Sequence, residues 1–141
     1  MQNNNLKFKI IKYLGVDWGE KRIGLAIGDS ETKIAIPFKV VQNMDELIKV
    51  IETEKIDQII VGQPLSIANY KLQITNEKYI EFIKDLKSKT NLLIKLIDER
   101  LSSKAADALV GNKKTKAPRD TVAAMLILQS YLDKMLHGKD L

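Results

Sequence analysis

The sequence contains no cysteine and a single histidine, and both scarcities restrict its chemistry. Without cysteine there is no disulfide framework, no thiolate zinc site and no catalytic thiol. His137 lies in a polar tail, four residues from the C-terminus. Metal sites and hydrolytic triads built on imidazole need that ring inside the fold, so catalysis here would rest mainly on carboxylates. Long apolar runs are lacking too: the longest is Val122 to Leu128, far short of the roughly 18 residues of a membrane-spanning helix. The opening residues, Met1 to Leu6, are polar and have no apolar core of a signal peptide. A cytoplasmic protein without a membrane partner is the expectation.

Arginine is also scarce. The 23 basic residues exceed the 18 acidic ones by five, yet only Arg22, Arg100 and Arg119 are arginine. Such an excess suits a polyanionic partner and equally suits a solubilising surface. Its distribution says more: Lys113, Lys114, Lys116 and Arg119 crowd one loop. Each arginine also stands near an acid, Arg22 after Asp17, Arg100 after Glu99 and Arg119 before Asp120. Only guanidinium offers a planar fork for phosphate or carboxylate, so this placement points to a site that needs one.

The 141 residues suffice for one domain with a real core. A polar leader (1–9) precedes a single unit (10–136), and a polar tail (137–141) follows. Ile10 to Asp17 and Arg22 to Gly28 read as two strands around a short glycine-containing turn. Ala35 to Val41 reads as a third strand, in which Pro37 is tolerated only at an edge or a bulge. Then the period changes. Met44, Leu47, Ile48 and Ile51 recur at helical spacing, and Asp57 to Val61 is a short buried strand closed by Gly62. Ile80, Ile83 and Leu86 mark a helix over Gln73 to Lys89, and Leu92 to Ile97 is another buried strand. Helices over Ser103 to Val110 and Arg119 to Leu136 complete the chain. The fold class is α/β: a mixed five-stranded sheet, three antiparallel strands then two parallel, with helices packed on it.

Three acids stand out. Asp17 ends the first apolar strand, where a carboxylate is costly unless it binds a cation or is fully hydrogen-bonded; opening the hairpin turn is the alternative. Glu99 follows a buried strand, at the strand end where ligand sites collect in sheets with a parallel section. Strand alternation alone does not choose between Asp98 and Glu99, and either could serve the next helix's N-terminus. Asp120 opens the last helix in phase with Ala123, Ala124, Ile127, Leu128 and Tyr131, so it continues the core-facing stripe. N-capping is its alternative, weakened by Ala123 where a capping box needs Glu or Gln. Together these acids can line one cleft. Hard oxygen donors suit Mg²⁺ or Mn²⁺, and such an arrangement hydrolyses phosphodiesters.

At these residues the chain resembles a known family, the bacterial pre-16S rRNA nucleases, also called Holliday junction resolvase-like proteins, of the ribonuclease H-like superfamily. The matching stretches are Gly15-Val-Asp-Trp-Gly-Glu-Lys-Arg-Ile-Gly-Leu-Ala26, Ile59-Ile-Val-Gly-Gln-Pro-Leu65, Asp98-Glu-Arg-Leu-Ser-Ser103 and Asp120-Thr-Val-Ala-Ala-Met-Leu-Ile-Leu-Gln-Ser-Tyr131. Each is weak alone, but the ordered set is specific and spans roughly residues 10 to 133. The resemblance implies a ribonuclease H-like fold and the acidic triad Asp17, Glu99 and Asp120 as catalytic and metal-binding residues. It also implies divalent-metal hydrolysis of phosphodiesters, with trimming of the 5′ end of precursor 16S rRNA as the role.

The expected partners are nucleic acid, RNA before structured DNA, and pre-ribosomal particles, with the chain a monomer or a weak homodimer. Arg22, Arg100, Lys113, Lys114, Lys116 and Arg119 are the expected substrate contacts. Trp18 could stack on a base, although packing on the hairpin is the simpler role. One departure from the family pattern is Ser66 to Leu72, which has no glycine where an Asn-Met-x-Gly-like turn is usual.

Three rival readings are weaker. An ATP-binding hairpin of the sugar-kinase type needs two such domains, and a Walker A loop is missing because Leu25 follows Gly24. Resolution of DNA junctions uses the same chemistry but usually needs a two-fold dimer. A non-catalytic RNA-binding assembly factor would have no use for three acids.

Overall fold

The computed structural model describes residues 9–68, 71–74, 76–98 and 118–136, with 65–68 and 71–74 as backbone only. Strands β1 (Lys12–Trp18) and β2 (Ile23–Asp29) form the expected hairpin, and β3 (Ile36–Val41) returns antiparallel beside β2. Helix α1 (Met44–Thr53) then carries the chain over to β4 (Gln58–Gln63), parallel to β1. After strands β5 (Leu65–Ala68) and β6 (Lys71–Ile74), helix α2 (Glu77–Lys89) leads to β7 (Leu93–Asp98), parallel to β4. The last described element is α3 (Arg119–Leu136). The main sheet runs β3-β2-β1-β4-β7, with the antiparallel-then-parallel division that the sequence pattern implies.

Pro37 meets both of its conditions. It sits on the edge strand and pairs with Ala26, while Leu25 pairs with Lys39, so Phe38 is the extra residue of a bulge. The bulge and the proline blunt an edge that Ile34 and Ile36, 59% and 51% exposed, would otherwise leave sticky.

Two expectations need correction. The helix read as starting at Gln73 starts at Glu77, because Lys71 to Ile74 forms β6, antiparallel to β5 in a separate two-stranded ribbon. Asn76 stops the helix from reaching further back: its side chain accepts from the Tyr79 amide at 3.1 Å as an N-cap. Ile80, read as a core position, is 37% exposed; the buried stripe is Tyr79, Phe82, Ile83 and Leu86. The aromatics at the i and i+3 positions take the place given to the isoleucine. The helix expected over 103–110 lies outside the described residues.

Alternation splits the sheet between two cores. Leu14, Val16, Leu25, Ile59 and Val61 pack with α1 and α2, whereas Tyr13 and Ile60 pack with Ile127, Leu128, Tyr131 and Leu132 of α3. Burial, together with the neighbouring Tyr131, pushes the Tyr13 phenol up to about 12. At the end of β2, Asp29 ties the turn to β3, accepting from the amides of Glu31 and Thr32 at 2.9 and 2.8 Å. The Thr32 amide is the main cause of a carboxyl held below its usual value. A depressed carboxyl contributes stability above its unfolded value and loses it as pH falls through the folded one. Asp29→Asn should therefore flatten the fall in melting temperature below about pH 4, measured by thermal denaturation across a pH series.

Candidate active site

Asp17 lies near the carboxyl end of β1, half-buried, on the same face as Tyr13 and Gly15, the face covered by α3. Its neighbours across the sheet carry no side chains. Gly24 is its cross-strand partner on β2, and Gly62 follows Val61, the parallel partner of Val16 on β4. Glycine inside a strand commonly marks a place where another backbone or a ligand comes close. At Gly24 that backbone is the first turn of α3. A Cβ there would stand 2.8 Å from Asp120 Cβ and still closer to the Asp120 carbonyl oxygen. Gly15 makes the same room further along the helix, where a Cβ would meet Leu128 Cβ at 2.7 Å and the Ala124 oxygen at 2.8 Å. The helix therefore lies in a trough of glycines, with Ala123 and Ala124 buried on its own side.

This seating sets Asp120 against the cross-strand partner of Asp17. Asp120 is not an N-cap: the Pro118 carbonyl accepts from the amides of Thr121 and Val122 at 2.9 and 3.1 Å and from the Thr121 hydroxyl at 2.7 Å. Its carboxylate, 23% exposed, instead accepts from Arg22 Nε at 2.6 Å through Oδ2. Arg22 comes from the β1–β2 turn and its side chain stays 66% exposed. The positive end of the α3 dipole lies at the same place.

Trp18 faces the other way. Its ring meets Tyr79 edge-on, with centroids 5.7 Å apart, and Phe82 at 6.1 Å, so it packs against α2 within the core that also holds Val16, Ile23 and Leu25 of the hairpin. The structure thus gathers Asp17, Asp120 and Arg22 at one end of the sheet, with the exposed Arg119 adjacent in sequence to Asp120. Ile97 shares the α3 face with Tyr13, which puts Asp98, the last residue of β7, on the opposite one. Glu99, Arg100, Lys113, Lys114 and Lys116 lie outside the described residues.

Two aspartates at this end of the sheet make a set of oxygen donors, which fits a hard divalent cation and not zinc. Among the described residues no three acidic, histidine or cysteine side chains converge. Gly24 and Gly62, which flank Asp17, escaped the sequence reading as site residues. Their signal was visible, since glycine interrupts two largely apolar strands.

The family model described as "RuvX: Holliday junction resolvase" matches residues 11–134. The chain belongs to the RuvX family. A protein of Maridesulfovibrio salexigens named "Putative pre-16S rRNA nuclease" is 37% identical over 133 residues, covering 86% of this chain and 98% of the relative. A protein of Dictyoglomus turgidum with the same name is 34% identical over 137 residues, covering 89% and 96%. Among solved structures, Thermus thermophilus RuvC superposes with a TM-score of 0.59 at 11% identity, covering 92% of this chain and 98% of the other. That likeness establishes the ribonuclease H-like fold of this RuvX chain.

Within this RuvX fold the glycine trough predicts two outcomes. Gly24→Ala should cost about 2–3 kcal/mol, as overpacking against main chain does, measured by urea denaturation. Trp18→Ala should cost a similar amount through lost packing on α2 while leaving nucleic-acid affinity unchanged in a binding titration. A fall in affinity without a fall in stability would instead make Trp18 a base-stacking residue.

Proposed function

We propose that this protein is a divalent-metal-dependent nuclease that processes the 5′ end of precursor 16S rRNA, acting on pre-ribosomal particles. The observation that carries this reading is the seating of Asp120 against Gly24, the cross-strand partner of Asp17, at the end of the sheet where ligands collect. The names of the two relatives above support RNA as the substrate. Asp17, Asp120 and Glu99 would hold Mg²⁺ or Mn²⁺, which supplies an activated water and charge for the developing phosphate oxyanion.

The chain's own residues do the rest. Arg119, Arg100 and the lysines at 113, 114 and 116 hold the sugar-phosphate backbone, and Arg22 can turn its exposed amino edge toward a phosphate. The N-terminus of α3 favours the same anion.

A second reading is cleavage of four-way DNA junctions, favoured by the description of the family model. The same assay separates the two: end-labelled RNA spanning the 16S 5′ leader, and a four-way DNA junction, each with Mg²⁺, Mn²⁺ or EDTA. Cutting of RNA alone supports the rRNA reading, and cutting of the junction alone transfers it to DNA. Failure to cut either, with salt-sensitive RNA binding retained, would leave an assembly factor.

In that assay Asp17→Asn, Glu99→Gln and Asp120→Asn should each lower cleavage by roughly 100-fold or more while circular dichroism shows an unchanged fold. Wild-type rates in any one would remove that residue from catalysis. Replacing Lys113, Lys114 and Lys116 together by Ala should weaken RNA binding and flatten its salt dependence; an unchanged slope would make them solvated surface.

A further inference from the structure

The ion pair between Arg22 and Asp120 has a consequence for how the site fills. Asp120 Oδ2 is one of the oxygens that the proposed metal site would use, and Arg22 Nε donates to it at 2.6 Å. The pair joins residues 98 apart in sequence, so it is made by the tertiary fold, not by a local turn. A guanidinium is a poor permanent plug here: it is held through Nε, comes from a turn, and remains 66% exposed. It is therefore a cation that stays close to the carboxylate but can swing away at small cost.

We propose that Arg22 is the site's own counter-cation, which balances Asp120 in the metal-free protein and must withdraw from Oδ2 as a divalent cation is taken up. This inference rests on the metal-dependent reading above. It assigns Arg22 a positioning role, setting the concentration of Mg²⁺ or Mn²⁺ at which the site loads. Three features support it. Asp120 is mostly buried, so it needs a positive partner when no metal is present. Among the described residues, Arg22 is the partner it has. The like charges of guanidinium and divalent cation on one carboxylate repel each other, which makes their occupancy competitive.

The test is Mn²⁺ affinity of the full chain, measured by isothermal titration calorimetry in the absence of nucleic acid, for wild type, Arg22→Gln, Arg22→Lys and Asp17→Asn. Arg22→Gln keeps a hydrogen-bond donor and loses the charge, so it should bind Mn²⁺ about threefold to tenfold more tightly than wild type. Arg22→Lys restores the charge and should return affinity to near the wild-type value. Melting temperatures taken alongside establish that each variant is folded. Wild-type or weaker affinity in folded Arg22→Gln overturns the proposal, as does Arg22→Lys behaving like Arg22→Gln. Mn²⁺ binding to wild type that is lost in Asp17→Asn shows that the metal reading stands even where the Arg22 inference falls. No heat with wild type or Arg22→Gln overturns both.

Discussion

The close approach of α3 to the β1–β2 hairpin is the constraint on which the site depends. A helix normally rides on a sheet at the distance its side chains dictate. Here Gly24 meets the backbone of the first helical turn and Gly15 the Ala124 carbonyl, so main chain nearly touches main chain, while Gly28 makes room for the side chains of Leu128 and Leu132. Ordinary side chains at these positions would lift the helix and take Asp120 away from the strand that ends in Asp17. The apolar residues further along α3, Ile127, Leu128, Tyr131 and Leu132, fix its direction by burying against Tyr13 and Ile60. Packing along the helix and the lack of it at one end therefore act together: the first anchors, the second brings two acids together.

Bringing acids together has an electrostatic cost that the fold offsets locally. Two carboxylates at one end of a sheet repel, and partial burial raises the cost of charge. The α3 N-terminus and Arg22 both supply positive potential, one from backbone dipoles and one from a side chain. The division of labour is sensible for a site meant to load a cation. The helix dipole is permanent and weak, whereas the guanidinium is strong but exposed and can leave.

The opposite face of the sheet has no share in this chemistry and a large share in holding it still. Trp18, next to Asp17 in sequence, points into the α1 and α2 side and locks the end of β1 against Tyr79 and Phe82. Adjacent residues on a strand thus divide function from anchorage, as a period of two requires. Asp17 is held in place by the packing of its neighbour.

Much of this was legible in the residues themselves. Hydrophobic period and turn residues determined the five strands of the main sheet and their antiparallel-then-parallel division, the restriction of Pro37 to an edge or bulge, and the full extent of α3, because each depends on local pattern and burial. The three acids stood out by chemical incongruity: polar groups at strand ends or on an apolar helical stripe. The short β5–β6 ribbon was missed because its two strands are only four residues each, too short for a period of two to stand out. Ile80 was misplaced because periodicity gives the helical face only to within one residue, and the bulk of Tyr79 and Phe82 decided it. What only the tertiary structure decided is who meets whom. That Arg22 pairs with Asp120 across 98 residues, that Gly24 makes room for the helix, and that Trp18 serves α2 all depend on the relative placement of distant elements. Sequence pattern sets which face of each element is apolar, but three-dimensional packing alone sets which polar groups share the space between them.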